Sequence, residues 1–555
     1  MTMAVPARAL PIVALWALTG LAACTFVRPQ TTTSPPTTIA QPPPPPGPPA
    51  PGPLPVIGQP AVVPAEPLPD RFESKDFIVT FAREGDTAAS LAARHLGDPA
   101  KAWLIEDHAG ARVFESGQEV VIPRRDLNAV GVLPTGYQLV PVLVYHNIGP
   151  ERRGRLLMAA RTFEEQMRYL HAEGYRAISL DELLGFVQGR RQVPRRAVLL
   201  AFDDGYRSFL EHAHPVLREL GFTATLFVYT DFLGGRSALS WPELRQLLAE
   251  GFDVQAHSKT HADLRRRGGE SDAGYAARME RELAVPLALF RKHLGRGSES
   301  LAYPYGATDD ELAGHVVRHG HIAGFTVRRQ ANPAFVSPLA IGRAQIYAEM
   351  TPAEFARTLT VFQDEPLHVV VPDEPAALAA TSGPDDRART PRQRLAAPHN
   401  ARAEALERQR HLRQALEARL VALTIDPDDT ATVAAVDRLQ ARIDRAVTAL
   451  LDEGQRLAAR AMHKEARQRF LVTLALDPAN RTAFEALQGG VPEVTFIVHT
   501  VRPGDTLAAL AELYYGDHLR ADVIAETNRL PVNARLVSGR SLRIPEIPGV
   551  PFLPR

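Results

Sequence analysis

Between about residues 139 and 362, short apolar runs alternate with stretches whose apolar residues recur at helical spacing. The runs are Val142-Leu143-Val144-Tyr145, Ala197 to Phe202, Ala224 to Tyr229 and Ile322 to Val327. Strand after helix after strand predicts a parallel α/β sheet or barrel, whose chemistry belongs at the strand ends. From about Ala401 to Gln488 the pattern changes to Ala, Leu, Arg, Glu and Gln with apolar positions at helical spacing and no strand-like run, which predicts helices. At 555 residues the chain is too long for one hydrophobic core, so several units are expected.

The two ends repeat one another. Phe77-Ile78-Val79 followed by Gly85-Asp86-Thr87 matches Phe496-Ile497-Val498 followed by Gly504-Asp505-Thr506, and each copy runs through an Ala/Leu helix to a second Gly-Asp and closes on Ile-Pro. The order predicts a βααβ unit of about 50 residues, with Gly supplying the turns. Both segments, 71–126 and 494–547, resemble LysM domains, which implies recognition of N-acetylglucosamine-containing glycan such as peptidoglycan. In the C-terminal copy the resemblance points to Gly504, Asp505, Thr506 and Asn528 as glycan-binding residues. The N-terminal copy is degenerate, with Ala88 where Leu507 stands and Ala109 against Asn528. Within 401–490, Leu474-Ala475-Leu476-Asp477-Pro478 with Ala483-Phe484 resembles the end of a tetratricopeptide repeat, and Ile425-Asp426-Pro427 is a weaker echo. One repeat alone fits a helical spacer as well as it fits an array that binds a protein partner. Residues 364–400, rich in Pro, Ala, Asp and Arg, read as a linker.

Charge alters little, because Lys plus Arg and Asp plus Glu both number 63, and no global field draws the chain to nucleic acid. The start alters more. Arg8, an apolar run from Ala9 to Leu18 and then small residues read as an export signal. It ends in Leu21-Ala22-Ala23-Cys24, which resembles a lipoprotein lipobox and implies a lipid on Cys24, the only cysteine. Residues 1–24 are then the signal and 25–70 a Pro-rich spacer. Thr25 resembles the outer-membrane sorting outcome, so the expected location is the envelope, anchored to the outer membrane and facing the periplasm.

The candidate chemistry lies in the middle. The strand Ala197 to Phe202 ends in Asp203-Asp204-Gly205, and adjacent carboxylates at an apolar strand mouth call for a cation or a proton. His257 and His261 are spaced to face one way on a helical turn, and imidazole suits zinc and other late first-row metals. Leu301-Ala302-Tyr303-Pro304-Tyr305-Gly306 puts an aromatic and a tight turn after a strand. In this order, and with Val142 to Asn147 and Leu239-Ser240-Trp241, these segments resemble the polysaccharide deacetylase family over 137–363. The resemblance implies a distorted (β/α) barrel, a divalent metal (zinc, with cobalt or nickel as alternatives) held by Asp204, His257 and His261, Asp203 as base and Tyr305 backbone N–H at the oxyanion.

Two family features are missing. Ala302 stands where an Arg usually steadies the catalytic Asp; that Arg is also absent from the branch acting on poly-N-acetylglucosamine, which the chain resembles. The late Leu-x-His motif that supplies the general acid has no counterpart either. His368 lies in the expected linker, which leaves His146 as the candidate acid. The expected function is N-deacetylation of an N-acetylglucosamine polymer, exopolysaccharide or peptidoglycan. An O-acetyl polysaccharide esterase and a non-catalytic envelope adaptor are the other readings.

Overall fold

The computed structural model describes residues 68–367, 389–490 and 496–545. The signal segment, Cys24, His368 and most of the two Pro-rich stretches lie outside the described residues. No helix among the described residues is long and apolar enough to cross a membrane.

Seven parallel strands organise the centre: β1 (Val142–Tyr145), β2 (Ala197–Asp204), β3 (Thr225–Val228), β4 (Asp253–Ala256), β5 (Ser300–Ala302), β6 (Ala323–Phe325) and β7 (Ala344–Gln345). Their spatial order is β6-β5-β4-β3-β2-β1-β7, and Arg176–Ala177 pairs beside the start of β2. The edges meet only at an isolated parallel bridge between Phe325 and Ile341, so the barrel is distorted, as expected. Every residue of β2 is buried. Side chains alternate across a strand, so Leu199 and Ala201 join Val142, Val144, Phe227 and Phe325 inside the barrel. Val198, Leu200 and Phe202 face the helix layer of Phe163, Met167, Leu217 and Leu247. Parity therefore carries Asp203 inward.

The N-terminal module adds a short strand, Arg71–Glu73, to the expected unit and so forms a three-stranded antiparallel sheet. Phe72, Phe77 and Val79 of this sheet pack on Ala396, Val421, Ala422 and Ile425 of the helical segment. That segment starts ten residues earlier than expected: α1 runs Pro391–Arg408, set by Thr390 as N-cap with Gln393 and by Pro391 in the first turn. The linker reading of 391–400 is thereby corrected.

α1 and α2 (Leu412–Ile425) form one hairpin, and α3 (Thr430–Ala459) and α4 (His463–Leu476) form a second. The weaker Asp-Pro echo is the same device as the stronger: Asp426 and Asp477 C-cap α2 and α4 with nearly equal angles (φ −129°, ψ 84° and φ −132°, ψ 88°). Two helix pairs are present where one was expected. They form no free spacer, because Phe470, Leu474 and Phe484 join the barrel's interior cluster.

The C-terminal module, Phe496–Thr500 and Ser541–Pro545 around two helices, is also docked. Leu519 packs into the barrel's helix layer. Arg520 Nη1 donates to the Arg329 carbonyl at 2.7 Å, and Arg328 pairs with Glu526 at 3.0 Å.

Candidate active site

The chain turns sharply at the end of β2. Asp204 has φ 73° and Gly205 φ 87°, and a Cβ on Gly205 would lie 3.0 Å from Val228 Cγ1, so the second turn position admits only Gly comfortably. The His pair is not on a helical turn as expected. His257 to His261 is a loop in which Ser258 (φ 71°) and His261 (φ 60°) adopt left-handed angles. It is held by the His261 N–H donating to Ser258 Oγ at 2.9 Å and by Thr260 donating to Glu282 at 3.0 Å. Tyr305 (φ 61°) turns the backbone above β5, where a Cβ on Gly306 would fall 2.5 Å from the Val327 nitrogen. Four of the seven non-glycine residues with positive φ among the described residues thus gather here, the concentration of backbone strain that functional sites show.

Those turns bring together three side chains able to hold a metal ion. One atom from each of Asp204, His257 and His261 lies within 4.8 Å of the others. His257 Nε2 and His261 Nε2 stand 3.7 and 3.5 Å from Asp204 Oδ1, spacings suited to sharing a cation rather than to hydrogen bonding. Asp204 Oδ1 is buried without a hydrogen-bond partner. His257 Nδ1 lies 2.7 Å from the Ala302 carbonyl, so Nδ1 carries the proton and Nε2 offers its lone pair. An orphaned carboxylate oxygen with two oriented imidazoles is a donor set that fits a late first-row divalent ion. Without such a charge, burial pushes the Asp204 carboxyl up to about 6 and holds His257 down at about 4.

Asp203 is held differently. It is 3% exposed, and Arg343 Nη1, on a side chain with no exposure, donates to Oδ1 at 2.7 Å. Burial opposes its ionised form, but Arg343 and the neighbouring imidazoles outweigh it, so its carboxyl sits below the usual range. Arg343 is the site residue that sequence reading missed. It lies between Ile341 and β7, on the segment that closes the barrel, and its Nε donates to the Thr326 carbonyl at 2.9 Å. The available signal was a lone Arg inside the run Ile341 to Ile346.

His146 follows β1 at the same strand edge. Its Nδ1 is buried without a partner, and burial lowers its pKa against the opposing pull of Asp203 and Asp204. Tyr305 is 65% exposed, its ring 4.7 Å from that of His261. The remaining candidates lie in the C-terminal module, where each has an internal task. Asp505 accepts from Arg502 N–H at 2.7 Å and pairs with His499 at 2.9 Å, Thr506 caps Ala509 N–H at 3.1 Å, and Asn528 bonds the backbone of Arg543 through both amide atoms. Gly504 supplies φ 91° for the turn. These four build the module's loops.

Two carboxylates and two imidazoles thus meet on the carboxyl edge of a parallel barrel, the place where such folds carry their chemistry. Residues 190–323 match the polysaccharide deacetylase family model and residues 499–545 the LysM model. The chain carries a polysaccharide deacetylase domain and a LysM domain. YxkH of Bacillus subtilis, a protein named for the same family, is 24% identical over 216 residues, which cover 39% of this chain and 74% of that protein. The poly-beta-1,6-N-acetyl-D-glucosamine N-deacetylase of Staphylococcus aureus is 24% identical over 177 residues, 30% of this chain and 60% of that enzyme. Among solved structures, IcaB from Ammonifex degensii is 26% identical, with 40% of this chain and 97% of that one covered at a TM-score of 0.36. The Streptococcus pyogenes deacetylase PplD is 23% identical, with 40% and 99% covered at 0.37.

Proposed function

We propose that this protein removes N-acetyl groups from an N-acetylglucosamine polymer at the bacterial envelope. The observation that carries the reading is Asp204, His257 and His261 gathered beside a separate, Arg-held Asp203. The staphylococcal relative's named substrate and the LysM domain support the choice of polymer. An amide is a poor electrophile, and a divalent ion, zinc first, held by Asp204, His257 and His261 would supply Lewis acidity toward the acetamide carbonyl. Asp203, kept ionised by Arg343, takes the proton of the attacking water. The Tyr305 N–H stabilises the oxyanion; His146, protonated beforehand from solvent, gives its proton to the departing amine as the C–N bond breaks and acetate leaves, and Asp203 then loses the water proton to solvent. A lipid on Cys24 would hold the enzyme at the outer membrane, and the LysM domain would retain it at peptidoglycan.

The test is acetate release by the full chain from N-acetylglucosamine oligomers, with a chelator and then with Zn²⁺ restored. Release should stop and return, and Asp203→Asn and His257→Ala should each lower it by roughly a hundredfold or more. A folded, zinc-loaded protein that releases no acetate from oligomers or from peptidoglycan would sink the reading.

A further inference from the structure

One helical run, 272–294, backs the loop that carries His257 and His261. It begins as Asp272–Met279, widens at Glu280–Ala284, where the backbone bonds follow i→i+5 spacing, and resumes at Val285–Leu294. The sequence supplies the reason. Pro286 has no N–H for the Glu282 carbonyl four residues before it, and its ring crowds that carbonyl, so the helix opens there. The same relation recurs at Phe209–Ala213, which Pro215 follows at the same spacing. Wide turns of this kind are rare and gather at functional sites. Here the turn leaves both Glu282 and Leu283 buried.

Glu282 is 3% exposed, and among the described residues no cation comes within hydrogen-bonding distance of it; Arg281 Nε stops at 4.0 Å. A buried charge without a close counter-ion is costly, and its partners show what it holds. Oε2 accepts from the Thr260 N–H at 3.0 Å, and the Thr260 hydroxyl lies 3.0 and 3.1 Å from the two carboxylate oxygens. Thr260 directly precedes His261. One turn earlier on the helix, the buried Arg278 reaches the far end of the loop. Its Nη1 donates to the Asp263 carbonyl at 3.2 Å and its Nη2 to the Arg265 carbonyl at 2.9 Å, while Glu270 pairs with it at 2.7 Å. Between these anchors Leu264, fully buried, packs with Tyr275, Met279 and Leu283 of the same run. Left-handed angles at Ser258 and His261 persist only where the surroundings impose them, and these contacts impose them from one side of the loop.

We infer that the helical run is a clamp for the metal-binding loop, in which Glu282 and Arg278 are positioning residues that hold His261 in its left-handed conformation and so set the affinity of the site for a divalent ion.

The inference rests on the metal site of the proposed deacetylase, so metal affinity and acetate release are measured separately. The full chain, stripped with a chelator, is titrated with Co²⁺ against a competing chelator, and the visible absorption of the bound ion is recorded. Glu282→Gln drops the charge at nearly constant shape, and Thr260→Val removes one hydroxyl at an exposed position. Arg278→Lys keeps the charge but gives up the forked reach to two carbonyls. Each should raise the Co²⁺ Kd at least about tenfold and change the visible spectrum, as loss of a group that orients a ligand does. Thr260→Ser, which keeps the hydroxyl, should bind as the wild type does. Gly454→Ala, in the helical segment, controls for stability and should leave affinity and spectrum unchanged. Weakened binding in the three variants supports the clamp even if no protein releases acetate, in which case only the deacetylase reading falls. Should Glu282→Gln fail to fold, Thr260→Val decides. Wild-type affinity and spectrum in a folded Thr260→Val protein overturn the inference. So does an equal loss in Gly454→Ala, or a wild-type chain that binds no Co²⁺.

Discussion

Asp203 and Asp204 are neighbours in sequence with opposite surroundings. Strand parity carries Asp203 into the barrel, where Arg343 neutralises it, whereas the left-handed turn at Asp204 aims an unpaired oxygen at two imidazoles. The motif named both residues but not the difference between them, which depends on a side chain 140 residues away. In the proposed reaction Arg343 touches Asp203, the base, and not the substrate, so it is a positioning residue. Arg343→Met should cut kcat by about a hundredfold while KM and the affinity for an added divalent metal change little, because Asp204, His257 and His261 do not use it. Arg343→Lys should recover part of that loss, since a point charge keeps the attraction but not the planar geometry. Loss of metal binding together with activity would instead mean that Arg343 supports the fold of the whole site.

At the scale of elements, local signals placed most boundaries. Capping boxes at Ser179, Ser240, Thr351 and Thr390 start helices where Ser or Thr precedes Glu or Gln by three residues. Helical spacing misled at His257 to His261, where Ser258 Oγ and Glu282 make a loop do what a helix was expected to do. The second helix pair shows packing overriding propensity. Gly454 sits inside α3, where Ala would ordinarily favour the helix by about 1 kcal/mol. Here a Cβ would lie 2.7 Å from Cε1 of the buried Phe470 ring on α4, and overpacking of that kind costs about 1–3 kcal/mol. Gly454→Ala should therefore destabilise the protein by about 1 kcal/mol, read as a lower urea midpoint at unchanged slope; a higher midpoint would show that the two helices separate freely.

Across the whole molecule, modules that look separable in sequence share cores. Phe484, 1% exposed, belongs to the barrel's interior cluster, and a Cβ on Gly189 would come within 2.9 Å of its ring. Phe484→Ala should cost ~3–5 kcal/mol. The helical residues 391–490 contain no Trp, while Trp103 and Trp241 report on the N-terminal module and the barrel. Guanidinium unfolding followed by tryptophan fluorescence and by far-ultraviolet circular dichroism should shift together in this variant; an unmoved fluorescence transition would mean that the helices fold alone. The sequence by itself determined the parallel barrel, the terminal repeat, the helical stretch and the residue types of the metal triad. These follow from periodicity and from turns that need Gly, Asp or Pro, all short-range properties. Only the tertiary structure decided that Arg343 holds Asp203, that the helices complete the barrel's core, and that the LysM domain docks on the barrel's helix layer. Each of those joins residues far apart in the chain, and contacts between distant segments leave no period in the sequence.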